Sequence, residues 1–213
     1  MVPLSLILSE QVGSLTALRL LWRRLGPAGC AAVFASVVAG MAKGEPWRSL
    51  GPPVDRKDAL SRRQIGSAVL LDRALRTRIP PNEARALVAE IVRIASVDFL
   101  GRNVPRLSRA SILDMTPEKR SEFLEKIQSR FFNADADLTL KGDEALDLTI
   151  RRCRFVELLK TIGEPDMAAI FCEGDKDFFN NHQPDISLKR DKTLSCGDEI
   201  CDFRFKWKTG GAD

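Results

Sequence analysis

Residues 138–150 have the sequence LTLKGDEALDLTI, and the pattern of the chain changes at this stretch. On both sides of Lys-Gly-Asp-Glu, apolar and polar residues alternate, which is the two-residue period of a strand with one buried face. The stretch therefore predicts a β-hairpin. The same alternation returns in residues 201–207, CDFRFKW, and a further strand is predicted over residues 185–190. The chain is thus expected to end in an antiparallel sheet of about four strands.

The chain before this hairpin has the period of helices instead. Over residues 8–25, apolar residues recur at spacings of three and four, which predicts an amphipathic helix with the stripe Leu15, Leu18, Leu21, Trp22 and Leu25. Pro27 suits the start of a second helix, so that the two would form an antiparallel hairpin. Residues 25–42 carry no charge and are interpreted as a helix buried on most sides. A membrane-associated segment is the alternative interpretation.

Proline and glycine divide the rest of the chain into helices. One helix is predicted over residues 61–78, the next from Pro81 to Gly101, and another after the start signal Thr116-Pro117. Three further helical stretches are expected between the strands of the sheet, over residues 152–163, 165–173 and 175–181.

Together these elements predict an α+β fold. It consists of an N-terminal layer of about four to five helices, followed by a small antiparallel sheet with a helical insertion. A length of 213 residues suits a single domain over residues 1–213. In this domain, residues 1–132 would form a helical scaffold and residues 133–208 the functional segment.

The composition is that of an ordinary globular protein, with 44% hydrophobic and 29% charged residues. Lysine and arginine are spread among acidic residues, so no nucleic-acid partner is expected. The five cysteines are odd in number and do not form the regular framework of a small secreted domain, which suggests reduced thiols and a cytoplasmic location. No membrane partner is expected, and a homo-oligomer stays open. No metal or other cofactor is expected, although a zinc site of Cys153, Cys172 and Cys201 is a weaker alternative.

Cys153 is the first candidate for chemistry. On a helical wheel it falls beside Glu157 and opposite the apolar face of its predicted helix. A thiol in the first turn of a helix has a lowered pKa, so the pair would supply a nucleophile and an acid/base group. A packed structural cysteine is the alternative.

Cys172 and Asp175 form a second candidate pair. Cys172 is predicted at the end of a short helix, and a turn at Gly174 would let the thiol and the Asp175 carboxylate approach a common point. Packing is again the alternative for this thiol.

The last strand separates its side chains onto two faces. Its alternation places Cys201 on the core side with Phe203, whereas Asp202 points the other way and is expected to pair with Arg190 on the neighbouring strand. Cys201 is therefore interpreted as structural.

The order of residues in this part of the chain is similar to that of a known family. The segments are Arg152-Cys153-Arg154-Phe155-x-Glu157, Gly163-Glu164-Pro165, Phe171-Cys172-x-x-Asp175, Pro184-Asp-Ile-x-Leu188-x-Arg190-x-x-Thr193 and Gly197-x-x-x-Cys201-Asp202-Phe203-Arg204-Phe205. Over residues 151–206 they resemble the L-2-amino-thiazoline-4-carboxylic acid hydrolases. The resemblance implies a hydrolase that opens a cyclic isothiourea to give an N-carbamoyl cysteine.

The resemblance also implies roles for individual residues. Cys153 or Cys172 would act as the nucleophile, with Glu157 or Asp175 as the acid/base group. Substrate binding is expected from Arg190, Thr193 and Asp202, because the arginine fork suits the carboxylate of such a small nitrogen- and sulfur-containing heterocycle.

The C-terminal end is also similar to that of 4-vinyl reductase domains, through Gly197, Asp198, Cys201 and Phe203. This shorter resemblance implies a module that binds a small molecule or a metal without catalysis. It is the alternative to the hydrolase.

Overall fold

The computed structural model describes residues 2–208, which form a helical layer followed by a four-stranded sheet. The helices are α1 (Leu4–Ala42), α2 (Arg56–Arg76), α3 (Pro81–Asn103), α4 (Arg109–Leu113), α5 (Pro117–Gln128), α6 (Arg154–Thr161) and α7 (Ala168–Asn181). The strands are β1 (Ala134–Lys141), β2 (Ala145–Cys153), β3 (Ile186–Arg190) and β4 (Cys201–Trp207). This arrangement confirms the predicted α+β class.

α1 is a helical hairpin, because the chain reverses at Gly26. The φ angle of Gly26 is 70°, a left-handed value that favours glycine. The Cys30 sulfur lies 3.8 Å from the carbonyl oxygen of Leu18, although a continuous helix would separate these residues by about 18 Å along its axis. The two arms, residues 4–25 and 27–42, therefore lie side by side, as predicted.

The faces of the first arm differ from the prediction. Its inner face carries small residues, and a Cβ added at Gly13 would lie 3.2 Å from the Cβ of Ala95 in α3. Leu21 is fully buried, but Leu15 and Trp22 of the predicted apolar stripe are exposed. Small residues let two helices approach closely, and several larger apolar residues of this arm, such as Leu15 and Trp22, are left on the outside.

The second arm is exposed where burial was predicted. Cys30 and Val33 are buried, whereas Val38 and Met41 are 62% and 58% exposed. The interpretation of residues 25–42 as a helix buried on most sides is therefore wrong. By length and composition alone, α1 would suffice to cross a membrane, and 11% of its apolar window is buried.

The first arm of α1 runs antiparallel to α3. Ser5 Oγ donates a hydrogen bond to Asn103 Oδ1 at 3.2 Å, and Ser9 Oγ donates to Asp98 Oδ2 at 2.9 Å. α7 also packs closely on α3, where a Cβ added at Gly174 would lie 2.3 Å from that of Ser96. α3 is thus shared by the hairpin and by the helix that carries two candidate site residues.

The sheet has the strand order β1-β2-β4-β3, and all neighbouring strands are antiparallel. The predicted hairpin is confirmed, with Leu140 opposite Leu146. In β4, Cys201 and Phe205 are buried as the alternation predicted. Phe205 packs against Phe179 of α7, with 4.6 Å between ring centroids. One face of the sheet is therefore covered by α7.

Candidate active site

A cavity of about 1040 Å³ lies between α2 and α3 on one side and the sheet, α6 and α7 on the other. Its lining is mostly apolar and includes the thiols of Cys153, Cys172 and Cys201 together with Asp175. The cavity thus brings three cysteines from different elements to the same space as one carboxylate.

α7 determines how Cys172 and Asp175 are placed. The helix continues through Gly174, so the predicted turn at this residue is wrong. Glycine is needed here because Ser96 of α3 occupies the place of a larger side chain. Residues three positions apart lie on the same side of a helix, and the uninterrupted helix therefore directs both side chains into the cavity.

Asp175 is the polar group of the cavity with the most strongly changed acidity. Its side chain is 29% exposed, and since Asp175 lines the cavity, we assign this exposure to the cavity. Its pKa is raised to about 7, mainly by burial and to a smaller extent by the charge of Glu173, while Arg190 opposes the rise. A carboxyl group with this pKa can take up and release a proton near neutral pH.

Cys172 is a neutral thiol under the same conditions. Burial and the nearby Asp175 raise its pKa to about 12, against the lowering effects of Ser195 and Arg190. Its sulfur lies 3.5 Å from Ser195 Oγ, in the short turn between β3 and β4. A thiol with this pKa holds its proton, and it therefore lacks the thiolate character of an activated nucleophile.

Cys153 is the last residue of β2 and the N-cap of α6, not a residue in the first helical turn. The backbone N–H groups of Val156 and Phe155 lower its pKa, but burial is the larger effect and raises it to about 11. The favourable position at a helix N-terminus is thus outweighed by removal from water.

Glu157 lies apart from this thiol. Its carboxylate is exposed and accepts two hydrogen bonds from Arg152, at 2.7 and 2.8 Å. The expectation that Glu157 and Cys153 share one side is wrong, because α6 begins at Arg154 and a helical wheel does not apply to Cys153.

Cys201 faces the cavity from the sheet. The Leu194 N–H lies within hydrogen-bonding distance of its sulfur, at 3.3 Å, and burial raises the pKa of the thiol. The predicted core-side position is confirmed, and the sulfur also contacts the turn that carries Ser195.

Arg190 lies behind Asp175 and is 10% exposed. Its Nη1 donates to the Cys172 carbonyl oxygen at 3.3 Å and lies 3.9 Å from Asp175 Oδ2. The guanidinium also stacks on the Phe203 ring, with 5.1 Å to the centroid. These contacts hold a cation next to the cavity, although Arg190 is not among the residues that line it.

The predicted pair of Asp202 and Arg190 is not formed. Asp202 Oδ1 accepts hydrogen bonds from the backbone N–H groups of Asp191 and Lys192, at 3.0 and 2.6 Å, and Oδ2 lies 3.2 Å from Arg204. Asp202 therefore shapes the loop after β3 and does not line the cavity.

Thr193 reaches the cavity only through a neighbour. Its backbone N–H donates to Asp198, and its hydroxyl oxygen accepts a hydrogen bond from Ser195 Oγ at 3.2 Å. Ser195 in turn contacts Cys172. Sequence reasoning missed Ser195, because a serine in an irregular turn has no periodicity that would place it beside a thiol.

Aromatic side chains of the wall also went unnoticed as site residues. Phe155 and Phe171 pack together with 5.5 Å between their centroids, and both line the cavity with Phe203. Within residues 2–208, no group of three or more histidine, cysteine, aspartate or glutamate residues is placed to hold a metal ion.

Comparison with known proteins gives one match. A family model described as L-2-amino-thiazoline-4-carboxylic acid hydrolase matches residues 61–205. The predicted family resemblance is thereby confirmed, and the match extends upstream of residue 151 into the helical layer. No match was found among curated proteins or solved structures. The similarity to 4-vinyl reductase domains is not shown by these comparisons.

Proposed function

Because the chain belongs to the L-2-amino-thiazoline-4-carboxylic acid hydrolase family, we propose that it hydrolyses a carboxylate-bearing 2-aminothiazoline at Asp175. The observation that carries the proposal is a carboxyl group with a pKa of about 7 in an otherwise mostly apolar cavity. A group of this kind suits a reaction in which one proton is removed and then returned.

The reaction adds water to the ring carbon between nitrogen and sulfur. The Asp175 carboxylate takes a proton from the water as its oxygen attacks this carbon. The carbon–sulfur bond then breaks, and the proton held by Asp175 passes to the departing sulfur. The second water proton leaves the new oxygen as its carbonyl group forms and passes to the former ring nitrogen, so that the product is an N-carbamoyl cysteine. Asp175 returns to its ionised state.

Arg190 is proposed to orient Asp175 and to supply a positive charge near the substrate carboxylate, since it lies next to the cavity without lining it. A guanidinium carries five N–H donors in a planar fork, and its contact with the Cys172 carbonyl involves Nη1. Its charge also opposes the rise in the pKa of Asp175, so that part of the carboxyl population is ionised at neutral pH.

Water replaces a cysteine as the nucleophile in this proposal. The raised pKa values of Cys172 and Cys153, about 12 and 11, support thiols that contact the ring without attacking it. Proton transfer from Cys172 to Asp175 is unfavourable, because the pKa of the thiol, about 12, lies well above that of the carboxyl group, about 7.

The test is conversion of 2-amino-thiazoline-4-carboxylate to N-carbamoyl cysteine, followed by mass spectrometry. D175N is expected to reduce kcat/KM at least about a hundredfold. E157Q is the matched control, because Glu157 is an exposed carboxylate bound to Arg152, and it is expected to keep wild-type activity.

Two further variants test the nucleophile. C172A and C153A are expected to retain turnover, since neither thiol forms a bond with the substrate in this scheme. Loss of turnover in C172A together with a covalent adduct on Cys172 in the wild type would instead establish a cysteine nucleophile. Absence of any conversion by the wild type would overturn the proposed reaction.

A further inference from the structure

The cavity is much larger than the ring that the proposed reaction consumes. Its volume of about 1040 Å³ equals the upper end of the range of roughly 300–1,000 Å³ for pockets that enclose drug-sized ligands. A five-membered ring with one amino group and one carboxylate fills only a small part of this space. The remaining volume belongs to the same cavity and has room for a further part of the ligand.

Most of the remaining lining is apolar, and polar residues of α1 that also line it, such as Ser9 and Glu10, are bonded to Asp98 and Arg63. Residues of the first arm of α1 line it from Leu6 to Ala17, a distance of about 16 Å along the helix axis. The facing walls come from the second arm, α2 and α3, and include Val37, Leu70, Leu71, Ile91 and Val92. Such a wall favours an apolar chain over a second polar group.

The cavity reaches the protein surface between the arms of α1. Val38 and Met41 line the cavity and are also 62% and 58% exposed. The rim of the opening therefore presents large apolar side chains to the outside.

We infer that the substrate is an amphiphile, with a nitrogen- and sulfur-containing heterocycle at Asp175 and an apolar chain between α1, α2 and α3. The identity of the polar group rests on the proposed function. The apolar chain follows from the volume and lining of the cavity independently of the reaction.

Binding of 2-(alkylamino)thiazolines with ethyl, octyl and dodecyl chains tests this inference. Each buried methylene group is expected to tighten binding about fourfold. The octyl compound should thus bind at least about a hundredfold more tightly than the ethyl compound in calorimetric titrations below its micelle concentration. Equal affinities for the ethyl and octyl compounds would overturn the inference.

A pair of variants tests where the apolar chain of the ligand binds. V38W narrows the rim and is expected to remove most of the gain in affinity from ethyl to octyl. V54W is the matched control, since Val54 is 82% exposed and does not line the cavity, and it should keep the gain. If V38W keeps the gain as well, the apolar chain binds elsewhere and the inference is wrong.

The two proposals fail separately. Hydrolysis of the parent ring without any dependence on chain length would leave the reaction standing and remove the apolar site. A strong dependence on chain length without hydrolysis by the wild type would leave the apolar site and remove the reaction.

Discussion

At Asp175, the acidity of a single side chain links stability to pH. The ordinary pKa of 3.8 applies to the unfolded chain, and burial raises the folded-state value to about 7. The folded protein therefore keeps this proton over an interval in which the unfolded chain has lost it. This contribution to stability is complete below the lower pKa and disappears as the pH rises through the higher one.

The D175N variant should lack this dependence, because an amide does not titrate. At about pH 8 its free energy of unfolding is expected to exceed that of the wild type by about 2 to 4 kcal/mol. At about pH 4 the two proteins should be nearly equal, since Asp175 is then protonated. Urea titrations at both pH values provide the measurement. A difference that does not change with pH would contradict the raised pKa.

Thiol reactivity should follow burial and acidity. Cys196 is exposed, whereas Cys153 and Cys172 are partly buried and have pKa values of about 11 and 12. Because the thiolate is the reactive form, iodoacetamide at neutral pH is expected to modify Cys196 well before the two cavity cysteines. Peptide mass spectrometry over time measures the order. Early modification of Cys172 would show that its thiol is activated after all.

At the level of elements, the contact between α3 and α7 depends on a missing side chain. G174A would place a Cβ 2.3 Å from that of Ser96, and it is expected to destabilise the fold by about 1 to 3 kcal/mol. The double variant S96G/G174A should recover most of this loss. G101A is the matched control, because its added Cβ meets Phe178 at an ordinary 3.8 Å. Thermal unfolding of all three variants tests the contact.

Two leucines of α1 test which of its faces is inside. Leu21 is fully buried and Leu15 is 66% exposed, although both belong to the stripe predicted from the sequence. L21A is therefore expected to cost about 2 to 5 kcal/mol. L15A should change the free energy of unfolding by less than about 0.5 kcal/mol. Comparable losses in the free energy of unfolding of the two variants, measured by chemical denaturation, would support the face that was predicted from the sequence.

The success of sequence reasoning varied among the elements for a physical reason. The strands around residues 138–150 were predictable, because one face of the sheet is buried. Apolar and polar residues therefore alternate in the sequence with the period of a strand. The first arm of α1 was not, because its inner face uses Gly13 and Ala17 to approach α3. A prediction from hydrophobicity alone places the buried face on the opposite side of the helix, where the larger apolar residues lie.

The candidate site was predictable in its composition but not in its geometry. Cys172 and Asp175 were both identified, yet their shared direction results from a helix that continues through Gly174. Cys153 and Glu157 were paired on a helical wheel that begins one residue too early. The boundaries of short helices depend on contacts with other elements, and the local sequence does not contain them.

Over the whole molecule, a group of charges around the buried Asp72 connects the helical layer to residues 133–208. Asp72 of α2 is fully buried and contacts Arg76 at 2.8 Å and Arg85 of α3 at 3.1 Å. Arg76 also contacts Glu164, in the loop after α6, at 2.6 Å. Burial raises the pKa of Asp72, while Arg85 and Arg76 act against this rise.

R85A is expected to destabilise the protein by about 2 kcal/mol near neutral pH, since it removes one partner of a buried carboxylate. The loss should shrink at acidic pH, because a protonated Asp72 needs no cation. R24A removes an exposed ion pair with Glu83 and should cost less than about 1 kcal/mol. Denaturant unfolding at acidic and neutral pH compares the two variants. Equal losses in the free energy of unfolding would show that the ion pair of Asp72 stabilises the fold no more than the exposed pair does.

The cavity wall formed by α1 has a consequence for how the protein can diversify. The family match begins at residue 61, so the helical hairpin lies outside it, whereas Cys172, Asp175 and Arg190 lie within it. The groups proposed to react thus lie within the matched residues, together with the α2 and α3 walls of the proposed apolar site, whereas its α1 wall lies outside them. A change in the hairpin alone is therefore expected to alter the proposed preference for chain length and to leave the proposed reaction unchanged.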